Sequence, residues 1–499
     1  MKMKRSRFLR VISLLLLCAM LAGCARTGKT EKTGKIGKTG EQEKTGETGQ
    51  ESGTAGSGTG ESTETSETAE TGQSTEPAAA GKNTEPAGSA KTTGTGKSSN
   101  GSSAAEAASA EETAGESGSS FAADTAKPGA EEFSEPREEA LTEQQKTEKM
   151  IREYIQTLSL EDKVSGLFII TPEALSGYDL VTEADGQVQE SLEAYPVAGV
   201  VFFAQNIQSR EQVQQMLALT KEWGSARLSE AVSLPPFLAV DEEGGIVARI
   251  GNSAIDVPYV GSMGGVGAAG DPEAAYEAGS TIGAYLQELG FNLDFAPDAD
   301  VLIDPENVTI GERSFGTDPA LCGQMVHRFV DGLHENGIAS CIKHFPGLGD
   351  TESDTHTGSA WSSRTIEDYR GAEFLSFEGG IDAKTEMVMI SHLSNSELSG
   401  SDIPASLNRT IITDILRGEL AYDGIVITDS LRMGAVTERF GSAEAAVTAV
   451  EAGVDILLMS ADFPAARQGI LDAVRDGQIS EERIDQSLFR ILRVRATLK

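Results

Sequence analysis

Cysteine is scarce in this chain, with four among 499 residues. None stands in a spacing that ligates metal, so neither a disulfide-stapled fold nor a zinc site is expected. Positive charge is short too. Lys and Arg number 41 against 77 Asp and Glu, a net charge of −36, which argues against nucleic acid or an anionic lipid face as a partner. Aromatic residues make up 5% of the chain, and none occurs between Ala25 and Ser120. Such a stretch cannot bury enough apolar surface to offset its ordering entropy. Apart from Val11 to Leu21, too short to span a bilayer comfortably, long apolar runs are missing near the N-terminus.

What is present divides the chain into three. Lys2, Lys4, Arg5, Arg7 and Arg10 precede the apolar run, and Leu21-Ala22-Gly23-Cys24 closes it. That is the pattern of an export signal over residues 1–24. Its end resembles the bacterial lipobox, which implies lipidation at Cys24, membrane attachment through the lipid and a cell-envelope location facing outside the cytoplasm. An ordinary secretory signal is the alternative. Residues 25–145, rich in Lys-Thr-Gly and Glu-Thr-Gly units, are expected to be a disordered tether spanning about 60 Å root-mean-square. Residues 146–499 are long enough for one large domain and hold 25 basic and 55 acidic residues. Cys322 and Cys341 fall on a predicted helix and strand, as buried thiols.

Short apolar runs alternate with amphipathic segments along this domain. Ala198 to Phe203, Phe237 to Val240, Asn292 to Pro297, Ala339 to Ile342, Met387 to Ile390, Ile425 to Ile427 and Ile456 to Met459 read as strands covered on both faces. Asp271-Pro272 and Asp318-Pro319 start helices that Gly290 and Asn336-Gly337 close. Repeated β-α units predict an α/β fold, either a (β/α)8 TIM-type barrel or a doubly wound sheet. No Gly-x-Gly-x-x-Gly turn follows the first strand, which weakens the nucleotide-binding version.

Polar residues gather just beyond these strands: Asp241 and Arg249, Lys343 and His344, Ser391 and His392, Thr428-Asp429-Ser430. Strand C-termini and the loops after them are where parallel barrels place chemistry. Each residue also has a plainer reading. Asp429 can cap a following helix, and His344 or His392 can be a satisfied core histidine. A loop carrying Asp354-x-His356 follows Lys343-His344-Phe345-Pro346-Gly347-Leu348-Gly349; alone, the Asp-x-His pair is a weak signal.

Together, these segments resemble glycoside hydrolase family 3, in particular its single-domain, NagZ-type β-N-acetylglucosaminidases. The resemblance rests on Lys343-His344-Phe345-Pro346-Gly347-x-Gly349 with Asp354-Thr355-His356, on Asp241-x-Glu243-Gly244-Gly245 upstream, and on Thr428-Asp429-x-Leu431-x-Met433 downstream. It runs from about Leu158 to the C-terminus, with Val200 to Ile207 at the family's first barrel strand. It implies retaining hydrolysis of a terminal β-linked N-acetylglucosamine, from muropeptides or chitin fragments. Asp429 takes the nucleophile's position, His356 the general acid/base, and Asp354 the residue that orients it. Asp241, Arg249, Arg313, Lys343 and His344 match sugar-binding positions. No metal or organic cofactor is implied. The family often has His at position 348 and Asp at 430, where this chain has Leu348 and Ser430. A glycoside phosphorylase on the same fold, and an inactive glycan-binding lipoprotein, are the competing readings.

Overall fold

The computed structural model describes residues 141–351, 358 and 360–498. The export signal, Cys24 and the tether up to residue 140 lie outside them. Eight parallel strands follow one another around the fold: β1 (Phe168–Ile170), β2 (Gly199–Val201), β3 (Phe237–Val240), β4 (Leu293–Asp294), β5 (Ala339–Phe345), β6 (Met387–Ile390), β7 (Ile425–Thr428) and β8 (Leu457–Leu458). Each pairs with the next as far as β7, and β8 pairs back onto β1 through Phe168–Leu457 and Ile169–Leu458. A single bridge, Ile427–Ile456, draws β7 to β8 and nearly closes the sheet into a barrel. The expected α/β class and barrel-type sheet are therefore both found.

One expectation needs correcting. The run from Ala198 to Phe203 supplies the second barrel strand, and Phe168–Ile170 supplies the first. Three residues between Leu167 and Thr171 carry too little periodicity to be separated from helix by pattern alone.

Helices cover the outside. In Pro272–Leu289, Asp271 accepts from the Glu273 N–H, Pro272 opens the first turn, and Gly290 ends it at φ 101°. Ile282, Leu286 and Leu289 are buried on its inner face. Pro319–Glu335 repeats the device, with Asp318 accepting from Ala320 and Leu321 N–H and with Cys322, Met325, Phe329 and Leu333 buried. Cys322 and Cys341 are buried free thiols, as expected.

The N-terminal end of the barrel is tied by charge. Asp455, fully buried ahead of β8, lies 2.5 Å from Arg417 Nη2 and 3.4 Å from Arg490 Nη1, and it accepts from Ser487 Oγ and the Val426 N–H. Loops at the opposite, C-terminal end are thereby left free to carry chemistry.

Candidate active site

A cavity of about 270 Å³ opens at the C-terminal end of the barrel. Asp241, Arg249, Arg313, Lys343, His344 and Asp429 all line it, with Phe203, Phe295, Met389, Met433 and Leu458 among the apolar walls. These six polar residues come from the C-terminal ends of β3, β5 and β7 and from the loops after β3 and β4, separated by up to 188 positions in sequence (241 to 429). A larger concavity, about 550 Å³, lies between helices Glu143–Ile155 and Glu481–Arg495 and is lined by Arg152, Phe489 and Arg493. None of the predicted site residues among the described ones lines it, whereas six of them line the smaller one.

The sequence places Gly244-Gly245 after the β3 carboxylates for a steric reason. Both have positive φ, 92° and 56°, and a Cβ on either would stand 2.8 Å from Gly261 O or 2.9 Å from Ser262 Cα. Only glycine meets both demands without strain. The tight hairpin that results holds Asp241 and Glu243 at the cavity wall.

Lys343 bridges those two acids. Its Nζ lies 2.8 Å from Asp241 Oδ1 and 2.7 Å from Glu243 Oε1. Arg313 grips Glu243 from the other side with two hydrogen bonds of 2.8 Å, through Nε and Nη2, and Arg249 Nη2 stands 3.4 Å from Asp241 Oδ2. Burial alone would raise the Glu243 carboxyl; the Arg313 and Lys343 charges overcome this and hold it well below the ordinary range. For Lys343, burial works against the ammonium, but Asp241 and Glu243 outweigh it and raise its pKa.

His344 differs. Burial, then the Arg313 charge, push it down to about 4, so near neutral pH the ring is uncharged. Its Nδ1–H donates to Asp300 Oδ2 at 2.8 Å, which leaves Nε2 as an acceptor, 3.4 Å from Arg313 Nη2. Asp300 also accepts from Leu348 N–H at 2.7 Å, so it fixes both the imidazole and the loop that starts at Gly347. Beside it, burial and then Asp300 raise Asp298 to about 8. Arg313 Nε lies 3.3 Å from Asp298 Oδ2 but is not aligned for a hydrogen bond, and that oxygen has no hydrogen-bond partner. Asp298, Asp300 and His344 are spaced as metal ligands are. Arg313 already supplies positive charge beside Asp298, and protein donors occupy Asp300.

Asp429 follows β7. Its N–H donates to Ile390 O at 2.8 Å, and its Oδ1 accepts from Ser430 N–H at 2.6 Å. His392 is fully buried, bonded through Nδ1 to Ser406 Oγ (2.7 Å) and through Nε2 to Ser430 O (2.8 Å). It braces the Asp429 turn and does not line the cavity. His356 and Asp354 lie outside the described residues. Sequence reading gives no role to Glu243, Asp298 or Asp300, although the first stands inside a quoted motif and the other two directly follow the fourth strand.

Comparison with known proteins fits this geometry. The family model described as "Glycosyl hydrolase family 3 N terminal domain" matches residues 159–494. Beta-hexosaminidase A of Pseudoalteromonas piscicida is 31% identical over 341 residues, covering 64% of this chain and 56% of that protein. Beta-hexosaminidase of Stenotrophomonas maltophilia (strain K279a) is 33% identical over 283 residues, covering 56% of this chain and 80% of that protein. The chain thus spans little more than half of the first relative and four fifths of the second. Among solved structures, a glycoside hydrolase family 3 beta-N-acetylglucosaminidase from Paenibacillus sp. str. FPU-7 superposes with a TM-score of 0.63 at 35% identity. That superposition covers 68% of this chain and 63% of that one.

Proposed function

From the premise that this chain belongs to glycosyl hydrolase family 3, we propose that it is a β-N-acetylhexosaminidase. It removes a terminal, non-reducing β-linked N-acetylglucosamine with retention of configuration. One observation carries this reading: the six described residues at family positions line a single cavity with room for about one sugar unit.

Asp429 is assigned as the nucleophile. One carboxylate oxygen attacks the anomeric carbon as the glycosidic C–O bond breaks, while His356, oriented by Asp354, gives its proton to the leaving oxygen. In the second step water adds to the anomeric carbon, its proton passes to His356, and the Asp429 carboxylate is released. Imidazole suits the role because it titrates near neutral pH. Lys343, Asp241, Arg249, Arg313 and His344 grip ring hydroxyls, and the contact made by the Asp241 carboxylate strengthens as positive charge develops on the sugar. These steps balance in atoms and electrons without a cofactor.

The N-terminal pattern supports export and lipidation at Cys24, which would set the domain outside the cytoplasm on its tether. Muropeptides and chitin fragments both present the required terminal residue there.

Hydrolysis of 4-nitrophenyl β-glycosides that differ only at C2, with product analysis in the presence and absence of phosphate, tests the reading. Preference for the 2-acetamido sugar and a phosphate-independent free sugar product are expected. Glucoside preference, a sugar phosphate product, or no turnover of any β-hexosaminide would overturn it.

A further inference from the structure

The acid assigned above, His356, belongs to the segment that leaves β5. His356 lies outside the described residues, but both ends of its segment lie within them. The first end is fastened to the loop after β4. Leu348 N–H donates to Asp300 Oδ1 at 2.7 Å, and Leu348 O accepts from Asn307 Nδ2 at 2.7 Å. Gly349 O accepts from the Ile303 and Asp304 N–H groups at 3.1 and 2.9 Å. The approach is so close that a Cβ at Gly349 would collide with Val301 O.

The second end is fastened to the segment after β6. Ala360 and Trp361 pair in parallel with Leu393 and Ser394. Ser362 N–H donates to Ser394 O at 3.1 Å, and Asn395 Nδ2 donates to Arg364 O at 3.0 Å. Neighbours on either side of β5 therefore hold the two ends.

Two further contacts join end to end. Ser362 Oγ donates to Asp350 Oδ2 at 2.5 Å. Arg364 Nη2 donates to Glu373 Oε2 at 2.9 Å. Glu373 is fully buried and packs against Gly347, where a Cβ would stand 2.5 Å from Glu373 Cγ. In sequence, His356 is six positions from Asp350 and six from Ser362. Joining the ends of an eleven-residue span (351 to 361) removes chain conformations at the outset. Less entropy is then lost when a side chain between the anchors is brought to a reacting atom.

Resting on the hexosaminidase reading above, we propose that Asp350 and Ser362 are positioning residues for the proton transfer. Their hydrogen bond, backed by the Arg364–Glu373 pair, limits where His356 can stand relative to the leaving oxygen. Neither Asp350 nor Ser362 lines the cavity, so both act through the acid and not on the sugar. A brace that served only the fold would be blind to the leaving group.

The test compares the full-length parent with Ser362→Ala, Ser362→Thr, Asp350→Ala and His356→Ala. Substrates are chitobiose and a series of aryl N-acetylglucosaminides whose phenols span a range of acidity, with kcat/KM and Tm measured for each protein. Ser362→Ala should lose about ten- to a hundredfold on chitobiose, the scale of a misplaced catalytic group. On the most acidic phenol, which leaves without a proton, it should lose less than about twofold. Its losses should follow those of His356→Ala across the series at smaller amplitude. Asp350→Ala, which removes the acceptor, should show the same grading. Ser362→Thr keeps the hydroxyl and should restore the parent's profile to within about twofold. If His356→Ala is graded but the two anchor variants show uniform loss or none, the positioning role fails and the acid assignment stands. Equal loss for His356→Ala on every phenol overturns the acid assignment and the positioning role with it. A parent that turns over no β-hexosaminide overturns the hexosaminidase reading itself.

Discussion

Glu243 and Lys343, 100 positions apart (243 and 343), meet at 2.7 Å in the cavity wall, where both side chains are almost fully removed from solvent. Arg313 completes the cluster on Glu243. A buried carboxylate shared by two cations does not itself face a nucleophile's task; it fixes the positions of two groups that hold substrate. Removing one partner of such a cluster strands charge in the interior. Glu243→Gln is expected to lose about 3 kcal/mol of stability or more, a shift in Tm of roughly 5–10 °C. It should also raise KM for the aryl glycoside, measured at a temperature where the variant is folded. A variant with parent-like Tm and KM would show that the cluster positions nothing.

Loss of the proposed acid should depend on the leaving group. His356→Ala is expected to reduce turnover of chitobiose severely while largely sparing aryl glycosides whose phenolate leaves without a proton. Paired kcat/KM measurements across phenols of graded pKa check this, and equal loss on every substrate would remove His356 from that role.

Stability should carry the imprint of His344. Its pKa in the fold is about 4, below the ordinary 6.5, because burial and Arg313 oppose the charged ring. The unfolded chain therefore binds the proton first as pH falls. Stability from this group is fully present above about pH 6.5 and declines from there toward pH 4. Urea unfolding of the parent and of His344→Gln at pH 7 and pH 4.5 should show a smaller acid-induced loss in the variant. An identical loss in both would mean that the ring titrates normally.

At the other end of the barrel, Asp455→Ala leaves Arg417, Arg483 and Arg490 without their shared carboxylate. A destabilisation of about 3–5 kcal/mol is expected. Because Asp455 lies away from the cavity, kcat/KM of the folded fraction should stay near the parent value. Chemical denaturation alongside steady-state kinetics separates the two effects.

Much of this architecture is legible in the sequence, for identifiable reasons. Strands β2, β3, β4 and β6 lie within the expected runs, β7 adds Thr428 before Asp429, and β5 continues past Ile342 to Phe345, so that Lys343 and His344 stand inside the strand and not beyond it. The aspartate-proline starts of two outer helices are local signals and appear as expected. By contrast, β1 is three residues long and carries no pattern that separates strand from helix, whereas β8 lies within Ile456 to Met459, where a strand is expected. Glu243 and Asp300 are harder still. Their importance comes from Arg313, Lys343 and His344, which reach them only once the barrel has brought β3, β4 and β5 side by side. His392 shows the converse: its place after a strand looks like a site residue's, but burial against Ser406 and Ser430 makes it a brace.

The most direct measurement of the central claim is covalent trapping. Incubation with an activated 5-fluoro-N-acetylglucosaminyl donor, followed by proteolysis and mass spectrometry, should yield one glycosyl adduct on the segment around Ile427-Thr428-Asp429-Ser430, localised to Asp429. It should be absent from Asp429→Ala. An adduct on Asp241 or Glu243, or turnover with inverted anomeric configuration and no adduct at all, would contradict the account.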